Sequence, residues 1–344
     1  MAANENSDID AVQGAMLMDQ ARELCRPILQ TAVKALSPPL CRMVGYHFGW
    51  WDAAGTATGD RHGKALRSAL TLGAATACGG SLAAAVPAAA AIELLHGFTL
   101  LHDDVMDEGP TRRGRPAVWR VWGVGNAILA GDALHALAFK VLGEYLPVAV
   151  AHEAIGRLSA ASLELCGGQY EDCAFEQRSA VTLDEYLSMA VSKTAALMGC
   201  ACAVGALCAD ADPGAVSAMD RFGRELGLVF QFVDDIIGIW GDPSVTGKPV
   251  GNDLLRRKHT LPVVAAMSSA GDAAVELATL YDSPGQMTPA DVIRAAALVE
   301  AAGGRYVAER YADERLAAAI DALPDRSASA HLLTLTRVAR HRDR

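Results

Sequence analysis

The sequence lacks the features that mark nucleic-acid-binding and β-rich proteins. Aromatic residues make up only 6% of its 344 residues, and 30 lysines and arginines stand against 40 aspartates and glutamates, a net charge of −10. A protein this acidic has no general basic footprint for nucleic acid. Runs of β-branched residues are scarce, whereas alanine, the best helix former, is abundant. These absences predict an all-α protein without a nucleic-acid partner.

The sequence shows no cysteine motif typical of a metal or redox site, and its first residues do not resemble a signal peptide. None of the eight cysteines forms a C-x-x-C pair, and no group of Cys and His has the spacing of a zinc site. The first ten residues, MAANENSDID, lack the basic and apolar regions of a signal peptide. We therefore expect free, mostly buried thiols in a cytoplasmic protein.

One stretch is free of charge over the length of a membrane span. Residues 69–92 contain no charged side chain, but Gly79 and Gly80 interrupt the stretch and Pro87 follows. Most of the remainder is weakly hydrophobic alanine. Two buried helices separated by a Gly-Gly break explain this composition better, so we expect no integral membrane segment.

Hydrophobic residues, 51% of the chain, recur at helical spacing over most of its length. Glycine and proline interrupt the pattern roughly every 20 to 30 residues. The pattern predicts ten or more helices and no strands. We expect a disordered tail over residues 1–10 and a single all-α domain over residues 11–344.

Two groups of aspartates interrupt apolar helical patterns. Asp103 and Asp107 are four residues apart and share a helix face, with Asp104 beside them, and Asp234 and Asp235 form a second pair. Clustered carboxylates repel one another unless cations neutralise them, and Mg²⁺ is the cation that such oxygens suit. A solvated helix end or a salt-bridge network is the alternative for either group alone. Both groups follow apolar runs typical of a core and can face each other across a helix bundle.

Basic residues near these groups would complete a diphosphate site, although each one alone is compatible with ordinary surface charge. They are Lys64, Arg67, Arg112, Arg113, Lys193 and Lys248.

Taken together, these residues resemble the trans-isoprenyl diphosphate synthases, the polyprenyl synthetase family, over residues 20–344. The run DDVMD matches the first aspartate-rich motif of that family, D-D-x-x-D, without an insertion. Other matching segments are Glu93-x-x-His96, Arg112-Arg113-Gly114, Gly168-Gln169, Lys193-Thr194, Gln231, the run GKPVGNDL at 247–254, and Lys258-x-Thr260-Leu261-Pro262.

The resemblance implies an isoprenoid synthase fold, in which many helices surround a deep central cavity, and a homodimer. It implies a prenyltransferase that joins isopentenyl diphosphate head-to-tail to an allylic diphosphate, with three Mg²⁺ ions per active site. A non-catalytic subunit of a heteromeric synthase is a further alternative, which the intact first motif disfavours.

The resemblance also implies roles for individual residues. The metal ligands would be Asp103, Asp104, Asp107 and Asp234, with Asp235 supporting them. The allylic diphosphate would contact Arg112, Lys193 and Lys248, whereas isopentenyl diphosphate would contact Lys64, Arg67, His96 and Arg113. Thr194 and Gln231 would direct oxygen atoms at the allylic carbons. We expect His102 to be structural, and the basic residues 340–344 to be either a solvated tail or part of a lid.

The second motif departs from the family pattern. Gly238 stands where the family usually has the last aspartate of D-D-x-x-D. The spacing of Asp234, Asp235, Gly238 and Asp242 loosely resembles the second metal motif of class I terpene cyclases, which need no isopentenyl diphosphate. The joint presence of Lys64, Arg67 and Arg113 favours the synthase.

Product length in this family often depends on the residue five positions before the first aspartate. Here that residue is Phe98, followed by the smaller Thr99. Five helical residues correspond to a rise of about 7.5 Å, which would place the ring below a growing chain. A simple core role for Phe98 is the alternative. The pattern resembles that of short-chain members that make the twenty-carbon geranylgeranyl product, with the fifteen-carbon farnesyl product as the runner-up.

Overall fold

The computed structural model describes residues 2–58, 63–241 and 251–341, with only the backbone described for residues 2–8. Most of this part of the chain is helical, which confirms the all-α prediction. The helices in the described residues are α1 (Ala2–Lys34), α2 (Pro38–His47), α3 (Leu66–Ala77), α4 (Leu82–Met106), α5 (Val118–Trp122), α6 (Val124–Tyr145), α7 (Val148–Phe175), α8 (Leu183–Ala190), α9 (Ala196–Cys208), α10 (Pro213–Trp240), α11 (Asn252–Leu255), α12 (Leu261–Met267), α13 (Asp272–Asp282), α14 (Pro289–Ala301), α15 (Gly304–Ala322) and α16 (Ala330–Arg340).

A short hairpin corrects the expectation of a strand-free chain. Strands β1 (Thr111–Arg112) and β2 (Arg115–Pro116) pair antiparallel. The two residues between them, Arg113 and Gly114, have φ angles of 53° and 71°. Two successive positive φ values are typical of a type I′ turn, the two-residue hairpin turn whose twist matches that of the flanking strands. The sequence signal is weak because arginine seldom adopts this conformation.

The contacts divide the chain into two compact units. Unit 1 comprises Met1–Ser162, Cys200–Asp220 and Pro324–Leu335, and unit 2 comprises Leu163–Gly199, Arg221–Leu323 and Thr336–Arg344. Neither unit is one continuous stretch of sequence. The single domain over residues 11–344 therefore stays a prediction.

In unit 1, helix α4 packs against α1, α3 and α6. Ser81 caps the N-terminus of α4: its side chain accepts a hydrogen bond from the backbone N–H of Ala84, one of the donors that the first turn leaves without a helical partner. The alanines at 88–91 are completely buried, as are Leu94 and Leu95. Burial of each leucine contributes about 1.5–3 kcal/mol, so α4 is firmly held where its last turn presents the first aspartate motif.

In unit 2, a second apolar cluster surrounds the end of α10. Its buried members come from α10 to α14 and include Ile239, Leu254, Val263, Leu277 and Val299. This cluster holds the helix that carries the second aspartate motif. It also anchors the short helix α11 through Leu254, whose side chain is fully buried.

Between α8 and α9 the helix widens into a single π-helical turn, Val191–Ala195. Such turns are rare and frequently occur at functional sites. Helix α7 approaches this turn at Gly168, where an added Cβ would lie 2.8 Å from Cα of Lys193. Gly168 therefore lets the backbone of Lys193 pack directly on α7.

Residues 2–10, predicted as a disordered tail, form the beginning of α1. Further along this helix, Met18, Ala21, Cys25 and Leu29 are buried at helical spacing. Once such a stripe has anchored a helix, adding polar residues at its end needs no new nucleation step. Polar composition alone therefore did not define the start of the helix.

Two helical stretches in the described residues are long and apolar enough to cross a membrane, Leu82–Met106 and Leu183–Cys208. Within the protein, 56% and 72% of their most apolar windows are buried. The bent pair α12 and α13 would count as a third stretch if taken as one. The absence of a membrane segment stays a prediction.

All eight cysteines lie in the described residues and are free thiols, as expected. Only Cys25, Cys200 and Cys202 are fully buried, and Cys166 is exposed, so the thiols are less enclosed than predicted. Burial raises the pKa of Cys25 to about 12, which keeps this thiol protonated.

Adjacent glycines in α7 allow a controlled test of the contact with the π-turn. Gly168→Ala places a methyl group against the backbone of Lys193, and we expect it to lower the free energy of unfolding by about 1–3 kcal/mol. Gly167→Ala is the control, since a Cβ there meets nothing within 4 Å. It should raise stability by up to about 1 kcal/mol through helix propensity. Denaturant unfolding of both variants measures the difference, and equal stabilities would contradict the proposed contact.

Candidate active site

The first aspartate motif occupies the last turn of α4 in unit 1. Asp104 is only 3% exposed, whereas Asp103 and Asp107 are partly exposed. Both carboxylate oxygens of Asp104 accept hydrogen bonds from Arg112: Nε donates to Oδ1 at 2.9 Å and to Oδ2 at 3.2 Å, and Nη2 donates to Oδ1 at 2.6 Å. The hairpin that follows α4 turns the chain back and brings Arg112 to this position.

The guanidinium of Arg112 fixes the orientation of Asp104 within the first aspartate motif. The same guanidinium lies 3.9 Å from Oδ2 of Asp103. Burial lowers the pKa of Arg112, but hydrogen bonds and charge from Asp104, Asp103 and Asp107 outweigh burial and raise it overall. Sequence reasoning assigned Asp104 to Mg²⁺ and Arg112 to a diphosphate. The structure pairs these two residues with each other, and both of those roles stay predictions.

The residues predicted to bind isopentenyl diphosphate lie near one another in unit 1. Arg67 Nη1 donates to Nε2 of His96 at 3.1 Å. Burial, followed by the charges of Arg67 and Arg113, lowers the pKa of His96 well below its ordinary value. His96 is therefore neutral and, because Nε2 accepts, its proton is on Nδ1, which faces the hydroxyl of Thr99 at 3.5 Å.

An acidic residue that sequence reasoning did not assign to the site accompanies these cations. Burial raises the pKa of Glu93, while the charges of Arg67 and Arg113 oppose that rise. Glu93, Arg113 and Gly63 line one small cavity of unit 1, of about 50 Å³. Arg22 also lines it and donates from Nε and Nη2 to the carbonyl of Gly63, at 3.3 and 3.0 Å. Lys64, the next residue along the chain, is exposed.

The backbone is unusual beside this cavity. Ala65 and Arg113 both have φ angles of 53°. A left-handed conformation is uncommon for residues other than glycine, and it is enriched where function fixes the backbone. These two residues flank the cations at Lys64, Arg67 and Arg112.

The second aspartate motif lies on α10 in unit 2. Asp235 is 4% exposed and Asp234 is exposed. Oδ2 of Asp235 accepts from the hydroxyl of Tyr186 at 2.5 Å and from the backbone N–H of Leu261 at 2.7 Å. Oδ1 accepts from Nε2 of Gln231 at 2.8 Å. Burial raises the pKa of Asp235 to about 7, against the hydrogen bonds, which lower it.

The same network includes the π-turn. The hydroxyl of Thr194 donates to Oε1 of Gln231 at 2.6 Å. Lys193 Nζ donates to Oδ2 of Asp172 at 2.5 Å, and Lys258 Nζ lies 4.0 Å from the same oxygen. Sequence reasoning gave Thr194, Gln231 and Asp235 separate roles, and in unit 2 their side chains form one hydrogen-bonded series. Sequence reasoning missed Tyr186 and Asp172, although Asp172 follows the noted pair Gly168-Gln169 by three residues.

Phe98, the predicted floor residue, belongs to an aromatic stack in unit 1. Its ring centroid lies 4.7 Å from that of His102 and 5.0 Å from that of His135, and His135 lies 5.0 Å from Phe139. His102 Nε2 is also 3.0 Å from the carbonyl oxygen of Ile128, a contact in keeping with a structural role.

Some predicted residues lie outside the described ranges. Lys248, assigned to the allylic diphosphate, is one of them, and so are Asp242 and the terminal residues 342–344. Of the basic C-terminus, Arg340 donates from Nε to Oδ1 of Asp313 at 2.7 Å. Because the two aspartate motifs belong to different units, their facing each other stays a prediction.

The donor set fits Mg²⁺ on chemical grounds. In the described residues no three His, Cys, Asp or Glu side chains form a metal cage by themselves. Mg²⁺ seldom uses such a cage, because it binds through one or two carboxylates and fills its shell with water and substrate phosphate oxygens. The exposed or partly exposed carboxylates of Asp103, Asp107 and Asp234 suit that role.

Comparison with known proteins places the chain in a family. Residues 49–299 match the family described as polyprenyl synthetase. The chain is 56% identical over 335 residues to the geranylgeranyl diphosphate synthase of Mycobacterium tuberculosis, covering 97% of this chain and 96% of that protein. It is 44% identical over 317 residues to a (2E,6E)-farnesyl diphosphate synthase of Mycobacterium bovis, covering 90% and 88% respectively.

Solved structures agree with this assignment. The polyprenyl synthetase from Streptomyces coelicolor superposes with a TM-score of 0.89 at 41% identity, covering 94% of this chain and 98% of that one. A geranylgeranyl pyrophosphate synthetase from Geoglobus acetivorans gives a TM-score of 0.81 at 30% identity, with coverages of 95% and 99%. The chain therefore has the isoprenoid synthase fold, and it is a prenyltransferase of the polyprenyl synthetase family.

Proposed function

We propose that this protein condenses isopentenyl diphosphate head-to-tail with allylic diphosphates in a Mg²⁺-dependent reaction, with geranylgeranyl diphosphate as its main product. The observation that carries the proposal is the cationic group of unit 1, where Arg67, neutral His96 and Arg113 lie with Glu93 near one cavity. An enzyme that ionises a single prenyl diphosphate needs no such second group of cations. The 56% identity to a geranylgeranyl diphosphate synthase supports the product.

In this proposal, Arg67 and Arg113 bind the diphosphate of isopentenyl diphosphate, with Lys64 at the exposed edge. Glu93 balances the charges of these two partly buried guanidinium groups when substrate is absent, because removing uncompensated charge from water is costly. His96 stays neutral and orients Arg67, since its Nε2 accepts from the guanidinium. A guanidinium held in a fixed orientation is suited to binding phosphate oxygens.

We assign Mg²⁺ to Asp103 and Asp107 in unit 1 and to Asp234 in unit 2, with three ions as the expected number. When bound, Mg²⁺ would neutralise the allylic diphosphate and favour its departure. Asp104 orients Arg112 toward the same substrate group. This assignment replaces the direct metal role that the sequence suggested for Asp104.

The reaction then forms an allylic carbocation, which has to be stabilised and kept away from water. The allylic C–O bond breaks, the isopentenyl double bond attacks the resulting cation, and the released pyrophosphate takes up the proton that is lost. Thr194 and Gln231 place hydroxyl and amide oxygens in one fixed pair, and such dipoles stabilise positive charge on carbon. Lys193, held by Asp172, would contact the departing diphosphate.

The activity test uses the purified full chain, Mg²⁺ and labelled isopentenyl diphosphate. Dimethylallyl, geranyl, farnesyl and geranylgeranyl diphosphates are offered separately, and extracts are analysed with and without phosphatase. We expect a twenty-carbon diphosphate that requires isopentenyl diphosphate and disappears with a chelator. A fifteen-carbon product would identify the farnesyl alternative. Hydrocarbons or alcohols formed without isopentenyl diphosphate, in the untreated extract, would overturn the proposal in favour of a cyclase.

Phe98 should limit the length of the product. Phe98→Ala removes the ring that contacts His102 and His135, and we expect products longer than twenty carbons, because the chain can extend past the lost side chain. Phe98→Tyr keeps the ring and serves as the control. Product lengths are compared by chromatography after phosphatase treatment. An unchanged length distribution for Phe98→Ala would exclude this residue as the floor.

We also propose that the protein is a homodimer. The support is a surface of unit 1 on α5 and α6 that is poor in charge, where Val121, Val124, Ile128 and Leu129 are 37–57% exposed.

Light scattering should give twice the mass of one chain. The double change Ile128→Asp and Leu129→Asp should lower the measured mass toward that of one chain, since buried charge opposes association. The control is Val275→Asp on α13, where an apolar side chain is exposed in unit 2. A wild-type mass of one chain would refute the dimer.

A further inference from the structure

Helix α1 reaches the cavity of unit 1 that Glu93 and Arg113 line. Arg22 is one of the α1 side chains at its wall. The family match begins at residue 49, after α1 has ended, so membership of the family gives no role to Arg22. Its contacts in the structure do suggest one.

The guanidinium of Arg22 joins α1 to a distant loop. Nε and Nη2 donate to the carbonyl oxygen of Gly63 at 3.3 and 3.0 Å, across 41 residues of sequence. Nη1 donates to Oδ1 of Asp19, one turn earlier on α1, at 2.5 Å. Each of the three nitrogens therefore has a protein partner, and the side chain is oriented to hold Gly63.

Gly63 in turn contacts two of the cations proposed to bind isopentenyl diphosphate. Its carbonyl belongs to the planar peptide that leads into Lys64, so hydrogen bonds to that oxygen fix the plane from which Lys64 starts. A Cβ added to Gly63 would lie 2.5 Å from Nη2 of Arg113, so the guanidinium of Arg113 packs directly on this glycine. Gly63 thus connects Arg22 with both Lys64 and Arg113.

The two ends of this connection differ in how firmly they are held. On α1, Ala21, Cys25 and Leu29 are buried at helical spacing, and the helix packs against α3 and α4. After Gly63, by contrast, Ala65 has a left-handed φ of 53°, which is unfavourable for alanine. Hydrogen bonds from a well-anchored helix help to keep this segment in a conformation that it would not prefer by itself.

We propose that Arg22 is a positioning residue for the isopentenyl diphosphate site, acting through Gly63 on Lys64 and Arg113. The inference rests on the proposed condensation of isopentenyl diphosphate. Without Arg22, the segment would have to be ordered when the substrate binds, and that cost would weaken binding. Arg112 is held separately by Asp104, so binding of the allylic diphosphate should not depend on Arg22.

The test compares the two substrates in each variant. KM for isopentenyl diphosphate is measured at saturating geranyl diphosphate, and KM for geranyl diphosphate at saturating isopentenyl diphosphate, with the full-length protein and Mg²⁺. The variants are Arg22→Ala, Lys64→Ala and the double change. Thermal unfolding verifies folding, and Arg22→Met, which keeps most of the apolar stem, replaces Arg22→Ala if that variant is unstable.

Arg42→Ala is the matched control. Arg42 Nε donates to the carbonyl of Ala53 at 2.9 Å, and Nη2 donates to the same oxygen. This change also removes an arginine that holds a loop carbonyl of unit 1. Ala53, however, is not among the described residues that line the cavity.

We expect Arg22→Ala to raise KM for isopentenyl diphosphate about tenfold, the effect of losing one hydrogen bond with a charged donor. The kcat and KM for geranyl diphosphate should stay within about twofold of wild type, as when only binding of one substrate is lost. The double variant should raise KM by less than the product of the two single effects, because both changes act on one segment. Arg42→Ala should match wild type.

Three results would overturn the inference alone. They are an unchanged KM for isopentenyl diphosphate in Arg22→Ala, equal rises of both KM values or the same rise in Arg42→Ala, and single effects that multiply fully in the double variant. A wild-type protein that does not consume isopentenyl diphosphate would overturn the proposed function as well.

Discussion

The site depends on one constraint, namely that carboxylates removed from water need fixed hydrogen-bond donors. Each aspartate motif contains one buried carboxylate, Asp104 in unit 1 and Asp235 in unit 2. Asp104 accepts from the guanidinium of Arg112, and Asp235 accepts from Tyr186, Gln231 and the backbone of Leu261. An unpartnered carboxylate at such depth would become protonated or destabilise the fold.

Helix geometry turns this constraint into a division of roles. Adjacent residues on an α-helix point about 100° apart, since a turn takes 3.6 residues. In each Asp-Asp pair the second side chain is therefore directed inward when the first is directed outward, and Asp103 and Asp234 are the more exposed members. The inward carboxylate holds the surrounding side chains in place, while the outward one is accessible, as its proposed role in binding Mg²⁺ requires. Two adjacent aspartates thus combine a structural role with the proposed binding role.

The sequence predicted the helical class and singled out both aspartate motifs, because periodicity and clustered carboxylates are local signals. It could not identify which charge pairs with which. The pairing of Arg112 with Asp104 depends on a hairpin in which the next residue, Arg113, has a left-handed backbone conformation. No propensity rule predicts that conformation for arginine. Tyr186 is 49 residues from Asp235 along the chain, and nothing at either position indicates the other. The start of α1 was missed because polar composition resembles that of a tail, whereas burial further along the helix holds it in place.

Gly238 has a steric explanation that a linear pattern does not show. A Cβ at this position would overlap Oδ2 of Asp253, so a larger side chain would displace that carboxylate. Leu254, the residue after Asp253, is fully buried and anchors α11 at this point. Glycine therefore allows α11 to pack closely on α10, because no side chain stands between them. Local packing thus accounts for the glycine, and the departure from the family pattern does not by itself assign the chain a different chemistry.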